Sequence, residues 1–419
     1  MYITYVILLT LLYYTYKKRK FFLLSPVDIF ILYFISVIAI TLMYDVYYPK
    51  KDKFNYFDLD FISSKDFRQT MFVFINMVVL FLIGVNCYTF FHKEYNKINR
   101  LSIKVIEVKN IKTELLTSIV IVLLMISLLL VYIDNGNGLF YRSQYIPKKS
   151  SILKTIYQNL FIFLSVLSGL LYKKNRMVAI FSIMITILIG ISLGSRTATI
   201  YLILFGASLS FFIESKQNKI LFYFISLPLV TLFFGYNLSL RSESFGHGLF
   251  PYLKIVVNKP FIIFKYTISN IYYTFVFGFY DTTKTMELYK NESISNLITC
   301  LNPMPGGFTR WPQLAPKLRT NEWLPYTAIG ELARFPIFSF FYYLLLGFYF
   351  AYVDNFIKKQ ILCKKYVFSI LQVLLLLLFV IHSFEYNLRS TNRFIVYSIL
   401  VLIIFYFMEK IKRYKIVIK

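Results

Sequence analysis

The sequence is poor in cysteine, histidine and acidic residues. Its 419 residues include three cysteines, three histidines and only 20 aspartates and glutamates. No Cys/His/Asp spacing is typical of a zinc site. The cysteines are Cys87 in an apolar run, Cys300 in a long polar segment and Cys363 in a basic loop, so no disulfide framework is expected. The sequence therefore predicts no metal centre.

Charged residues of either sign are also scarce. They make up 16% of the chain, against 58% hydrophobic residues and a mean hydropathy of +0.62, whereas soluble domains are about a quarter charged. The apolar residues form continuous runs, and a membrane-spanning helix needs ~20 of them. This composition excludes a soluble enzyme, a nucleic-acid-binding domain and a disordered chain. It predicts an all-α polytopic membrane protein.

The apolar runs predict about 11 transmembrane helices. They cover residues 1–16, 21–48, 70–91, 114–134, 154–172, 177–195, 197–213, 220–236, 336–353, 366–384 and 394–408. The first run lacks a basic start and a small-residue cleavage site, so it is expected to be an anchor and not a signal peptide. Basic clusters follow the first, third, fifth, seventh, ninth and last runs. Because cytoplasmic loops are rich in Lys and Arg, these clusters are expected in the cytoplasm. This pattern predicts an amino terminus outside and a carboxyl terminus in the cytoplasm.

One segment between the predicted spans, residues 237–335, is about 100 residues long, far beyond an ordinary connection. Together with Pro336 it holds eight of the 12 prolines, and it contains both tryptophans. We expect a folded extracytoplasmic cap, whose apolar first half forms either an interfacial amphipathic helix or a helical pair dipping into the bilayer. The predicted segments are therefore 1–236 with eight spans, the cap 237–335, 336–408 with three spans, and a basic cytoplasmic tail 409–419.

Arginines, not lysines, occupy tight positions at the predicted outer ends of helices. They lie in Gly194-Ser195-Arg196-Thr197, in Arg241-Ser242-Glu243 and in the hairpin that runs from Arg389 to Arg393. A guanidinium binds phosphate oxygens bidentately, which lysine does not do. We predict a phosphate clamp made of Arg196, Arg241, Arg389 and Arg393, with Arg334 and Arg310 as further candidates. The alternative is that each arginine reaches separately to lipid phosphates.

Glu331 and Arg334 stand three residues apart, on one helical face, where the long segment meets an apolar span. Glu331 is either a helix amino-terminal carboxylate with a local salt bridge or a general base whose pKa is raised by low dielectric. Glu243 and Asp281 are competing carboxylates. The sequence alone does not select among these three carboxylates.

Together these features resemble the oligosaccharide repeat-unit polymerases of bacteria, the Wzy-type O-antigen or capsular polysaccharide polymerases. The resemblance covers the organisation of residues 110–410. It rests on the Gly194–Thr197 turn followed directly by a span, the long extracytoplasmic loop, Pro325 to Glu331 running into a span with Gly347, and the arginine hairpin before the last helix.

The resemblance implies a GT-C-like membrane glycosyltransferase that needs no cofactor. In this family a glycan on undecaprenyl pyrophosphate is transferred, with inversion, to a fresh lipid-linked repeat unit at the outer face of the bacterial cytoplasmic membrane. The acceptor hydroxyl in this chemistry needs a nearby base, and this makes Glu331 the predicted catalytic base. The implied partners are lipid-linked oligosaccharides, membrane lipids, a chain-length regulator and a flippase, but no nucleic acid.

Two alternatives remain open. An O-antigen ligase shares this architecture and typically depends on a histidine of the large loop, where this chain has His247. A polysaccharide flippase or other transporter would have short outer loops, charged residues inside spans and internal repeats.

Overall fold

The computed structural model describes residues 2–18, 25–47, 63–92, 113–144, 152–194, 197–210, 218, 221–222, 225–226, 229–230, 232–233, 240, 246–261, 271–288, 293–304, 308–321, 324–363 and 366–417. Over these ranges the chain is almost entirely helical, with two isolated β-bridges and no strand. Helices satisfy their own backbone hydrogen bonds, as a lipid-embedded chain requires. The prediction of an all-α membrane protein is confirmed at this level.

Among the described residues, six helices are long and apolar enough to cross a membrane. They are Pro26–Val46, Ser64–Phe91, Thr113–Leu139, Pro336–Ile361, Phe368–Glu385 and Leu388–Glu409. Shorter apolar helices cover Val6–Thr15, Ile156–Leu171 and Arg176–Ser192. Every predicted run falls on a helix except 220–236, most of which lies outside the described residues. The count of 11 spans stays a prediction.

The chain forms two compact units. The terminal unit combines residues 1–102 and 273–419, and the central unit is residues 103–272. The boundary between the two units at Tyr272 lies inside the predicted cap, residues 237–335. The predicted segments were defined differently, by where the chain was expected to cross the membrane. That topology stays a prediction.

The terminal unit contains ten named helices. They are α1 (Tyr2–Lys18), α2 (Pro26–Tyr47), α3 (Ser64–Phe91), α9 (Phe277–Leu288), α10 (Ile294–Leu301), α11 (Trp311–Leu314), α12 (Ala328–Ala333), α13 (Pro336–Leu362), α14 (Tyr366–Glu385) and α15 (Leu388–Val417). A π-helical turn, Tyr272–Val276, leads into α9. The central unit contains α4 (Thr113–Asn135), α5 (Ile152–Leu171), α6 (Arg176–Ser192), α7 (Thr197–Ser210) and α8 (Leu249–Asn258).

Helices α3 and α13 cross in direct backbone contact, because each has a glycine at the crossing. A Cβ atom on Gly84 would lie 2.0 Å from the Leu344 carbonyl oxygen, and one on Gly347 would lie 2.0 Å from that of Phe81. Small residues are what allow apolar helices to pack this closely. The buried Phe30 ring stacks on Phe81 with centroids 3.8 Å apart, so this crossing lies in the core of the terminal unit.

Helix α13 is longer than the predicted run 336–353. It continues to Leu362, and the predicted inner-loop residue Lys358 is buried inside it. The Lys358 Nζ lies 2.7 Å from Asp354 Oδ2, one turn earlier, and Asn355 donates to the Tyr88 hydroxyl at 3.1 Å. These polar residues satisfy one another inside the bundle, so the helix continues beyond the apolar run, and the end of the membrane span stays a prediction.

Candidate functional site

Helix α12, which carries Glu331, is positioned by threonines of α9. Thr327 caps α12, since its Oγ1 accepts from the Gly330 N–H at 3.1 Å. The same hydroxyl lies 2.8 Å from Thr282 Oγ1, and the Thr327 N–H donates to Thr285 Oγ1 at 3.2 Å. A Cβ on Gly330 would meet Thr285 Cβ at 2.6 Å. Helix α12 is therefore pressed against α9 and fixed there by hydroxyl groups.

The Glu331 carboxylate lies at the amino end of α15. Its side chain is fully buried, and Oε2 accepts a hydrogen bond from the Leu388 N–H at 3.3 Å. The Ala328 N–H donates to the Tyr386 carbonyl at 2.8 Å, so the two segments are joined twice. A helix amino terminus carries partial positive charge and stabilises a carboxylate. Glu331 is thus in the first turn of its own helix, as the first sequence interpretation expected, and it also lies at the amino end of a second helix far along the chain.

Arg389, in the first turn of α15, holds the loop that follows α10. Its guanidinium donates to the Thr299 carbonyl at 2.8 Å, to the Met304 carbonyl and to Thr309 Oγ1 at 3.1 Å. Its Cζ also stacks over the Trp311 ring, 5.0 Å from the centroid. Only 1% of the Arg389 surface is exposed. Most of its donors are therefore occupied by main-chain and loop groups.

Three arginines nevertheless keep a buried donor. The Nε–H groups of Arg334, Arg389 and Arg393 are buried and have no acceptor within the described part of the chain. Arg389 and Arg393 are one helical turn apart, and Arg334 is three residues beyond Glu331, whose carboxylate bonds to Leu388. Burial lowers the pKa of Arg334, an effect opposed by Glu287. Buried cationic donors without acceptors are costly, and an anion would satisfy them.

The other predicted clamp residues do not join this cluster in the described chain. Arg310 belongs to the same unit but is exposed. Arg196 and Arg241 lie outside the described residues, as does Glu243. Their roles stay predictions.

Asp281, the remaining competing carboxylate, is buried in α9. It is 1% exposed, and its Oδ1 has no hydrogen-bond partner among the residues described here. Burial raises the pKa of Asp281 to about 7, and a hydrogen bond with Thr320 acts in the opposite direction. A carboxyl group in this condition suits proton transfer near neutral pH.

Arg142 is a candidate in the central unit that the sequence analysis missed. It pairs through its main chain with His247, and its Nη1 donates to the carbonyls of Ser192 at 2.9 Å and Gly138 at 3.1 Å. His247 Nδ1 lies 3.0 Å from the Tyr252 hydroxyl, and burial together with the Arg142 charge lowers the pKa of His247. Every residue has a main-chain carbonyl, so the sequence does not show that Arg142 binds the carbonyls of Gly138 and Ser192.

The site in the terminal unit therefore combines buried carboxylates, buried arginine donors and threonine hydroxyls. In the described ranges, no group of three His, Cys, Asp or Glu side chains is arranged to hold a metal ion. Comparisons of the chain with known protein families, with curated proteins and with solved structures returned no match.

Proposed function

We propose that this protein polymerises undecaprenyl-pyrophosphate-linked oligosaccharide repeat units into an O-antigen or capsule at the outer face of the cytoplasmic membrane. The observation that carries the proposal is that three arginines of the terminal unit, Arg334, Arg389 and Arg393, each keep a buried Nε–H donor without an acceptor in the described chain. A diphosphate leaving group has the charge and the oxygens that such donors bind.

The chemistry required is glycosyl transfer with inversion at the anomeric carbon. An acceptor hydroxyl attacks that carbon while the bond to the lipid diphosphate breaks, and negative charge grows on the phosphate oxygen. Fixed guanidinium groups stabilise this charge, and a carboxylate takes up the hydroxyl proton. Arg196 and Arg241, which lie outside the described residues, are clamp residues predicted from sequence, and Glu331 is the base predicted from sequence.

The test is to delete the gene in the source organism, or to replace it with a gene for a substituted variant, and then to measure the size of the surface glycan. We expect the deletion strain to carry single repeat units, and Arg393→Ala and Arg196→Ala to reproduce that phenotype with normal membrane insertion. Lys317→Ala is the matched control, because Lys317 is exposed and has no predicted role, and it should leave wild-type chain lengths. Wild-type chain lengths in the deletion strain would overturn the proposal.

A flippase or other transporter is the second candidate, favoured by one observation. The Asp354–Lys358 pair is buried in a helix apolar enough to span the membrane, and ionised residues in such helices often mark transport pathways. The deletion strain distinguishes the candidates: repeat units trapped on the cytoplasmic side indicate a flippase, whereas accumulated long lipid-linked chains indicate a ligase.

A further inference from the structure

We infer that Asp281 accepts the proton released in the reaction, through the hydroxyl of Thr320, while Glu331 holds the arginine-bearing helix in place. The inference rests on the proposed function and adds to it the route of the proton. It assigns separate tasks to two carboxylates of the terminal unit that sequence alone could not distinguish.

Asp281 lies on a firmly held helix. The π-helical turn before α9 has its Thr274 and Phe275 carbonyls bound by Tyr33 and Thr41 hydroxyls, each at 3.3 Å. Further along, Thr70 donates to Thr283 at 2.9 Å. Such π-turns occur frequently at functional sites. The Asp281 carboxylate is therefore held in one position, with one oxygen unpartnered in the described chain.

Thr320 connects this buried carboxylate to the loop surface. It is half-buried, its side chain hydrogen-bonds with Asp281, and its Oγ1 lies 3.3 Å from the Leu324 carbonyl oxygen. A hydroxyl carries one proton, so it donates to only one of these acceptors at a time. When Asp281 is ionised, Thr320 donates to the carboxylate. When Asp281 is protonated, Asp281 donates to Thr320, and Thr320 donates to Leu324.

The turn that carries Thr320 does not depend on which acceptor its hydroxyl uses. The Thr320 N–H donates to the Leu324 carbonyl at 2.9 Å, and the Tyr326 N–H donates to that of Leu318 at 3.1 Å. Asn321 Oδ1 accepts from the Leu324 N–H at 2.9 Å. The hydroxyl thus rotates on a fixed frame, as a proton relay requires.

Glu331 is less suited to accept the proton. Its Oε2 is bound by the Leu388 N–H at the positive end of α15, and both effects favour the ionised form against the burial of the side chain. For Asp281 the hydrogen bond with Thr320 does not outweigh burial, which raises its pKa to about 7. The acidic, basic and histidine side chains on α9, on the helices packed against it and next to Thr320 are, besides Asp281, Lys284, Glu287, Glu331, His382, Glu385, Lys65, Asp66, Arg68 and Arg319, and the same helices carry Tyr280, Tyr88, Tyr366 and Cys87.

In the glycosyl transfer step, the acceptor hydroxyl oxygen forms the new bond to the anomeric carbon. The old C–O bond breaks, and its electron pair goes to the diphosphate. The proton of the acceptor hydroxyl passes to Thr320 Oγ1 while the original Thr320 proton passes to the Asp281 carboxylate. Both groups return to their starting state when Asp281 releases its proton.

The experiment measures elongation by the purified full-length protein in lipid nanodiscs, with lipid-linked repeat units extracted from the deletion strain. Asp281→Asn is expected to slow elongation at least ~100-fold, and Thr320→Val ~10-fold or more, whereas Thr320→Ser retains the hydroxyl and most of the rate. The wild-type rate should rise with pH to a plateau above about 7. Glu331→Gln should slow elongation by less than ~10-fold and keep this pH profile.

The outcomes separate the two proposals. Failure of the wild-type protein to elongate these units overturns the proposed function. Elongation by wild type together with near wild-type rates for Asp281→Asn, or loss of the pH step in Glu331→Gln, overturns the proton assignment alone. If Asp281→Asn does not fold, the Thr320→Val and Thr320→Ser pair decides, and equal rates for these two contradict the relay.

Discussion

The Glu331 carboxylate accepts a hydrogen bond from the Leu388 main-chain N–H at 3.3 Å, although the two residues are 57 positions apart. This contact brings the turn with Arg334 to the start of the helix that carries Arg389 and Arg393. A negative side chain thereby lies at the positive end of a helix whose first two turns carry Arg389 and Arg393. The Ala328–Tyr386 bond beside it and the contacts of Thr327 with Thr282 and Thr285 also hold this segment.

Glu331→Ala should destabilise the protein, because the buried Leu388 N–H then loses its acceptor, at a cost of ~1–3 kcal/mol. Glu331→Gln retains an acceptor and should lose less. The measurement is the thermal unfolding of both variants in detergent. Equal melting temperatures for Glu331→Ala and wild type would show that the hydrogen bond contributes nothing to stability.

Arg389→Lys should loosen the loop after α10, since an ammonium group cannot reach Thr299, Met304 and Thr309 together. We expect faster amide hydrogen exchange over residues 299–311. Arg310→Lys, in the same segment but exposed, is the control and should exchange as wild type does. Unchanged exchange in Arg389→Lys would contradict the anchoring role.

Gly347→Ala should separate α3 from α13, because its Cβ would lie 2.0 Å from the Phe81 carbonyl oxygen. Overpacking of this kind costs ~1–3 kcal/mol or more. Gly138→Ala is a matched control, since no atom lies within 4 Å of the Cβ it would add. Melting temperatures that fall equally in both variants would argue against the close crossing.

Asp354→Asn should destabilise the protein by ~3–5 kcal/mol, because the buried Lys358 ammonium loses its counter-charge. The double variant Asp354→Leu with Lys358→Met should recover most of this loss. The half-exposed Lys284–Glu287 pair, 3.0 Å apart, is the control, and its removal should cost less than ~1 kcal/mol. A double variant less stable than Asp354→Asn would refute this account.

Asp281 should make stability depend on pH. Its folded pKa of about 7 lies above the ordinary 3.8, so the folded state holds a proton that the unfolded state releases. The resulting stabilisation is complete below the ordinary pKa and is lost as pH rises through the folded one. The melting temperature of Asp281→Asn relative to wild type should therefore rise between about pH 4 and pH 7 and level off above. A constant difference would contradict the raised pKa.

The sequence was sufficient to predict the helices but not the contacts between their ends. Apolar runs predict helices because lipid leaves the backbone few alternatives. The continuation of α13 beyond the apolar run was not predicted, since Asp354 and Lys358 resemble loop residues until their pairing is visible. Asp281 could not be chosen over Glu331 for a similar reason: Thr282, Thr283 and Thr285 resemble solvent-facing residues, yet all three are buried.

The carbonyl groups that Arg389 binds at Thr299 and Met304 belong to the backbone, which every amino acid offers alike. Substitutions at these two positions leave both carbonyl acceptors in place. The side chains of residues 299–304 can therefore change in evolution, one at a time, without loss of the hydrogen bonds to Arg389, while its guanidinium continues to hold the backbone of this segment.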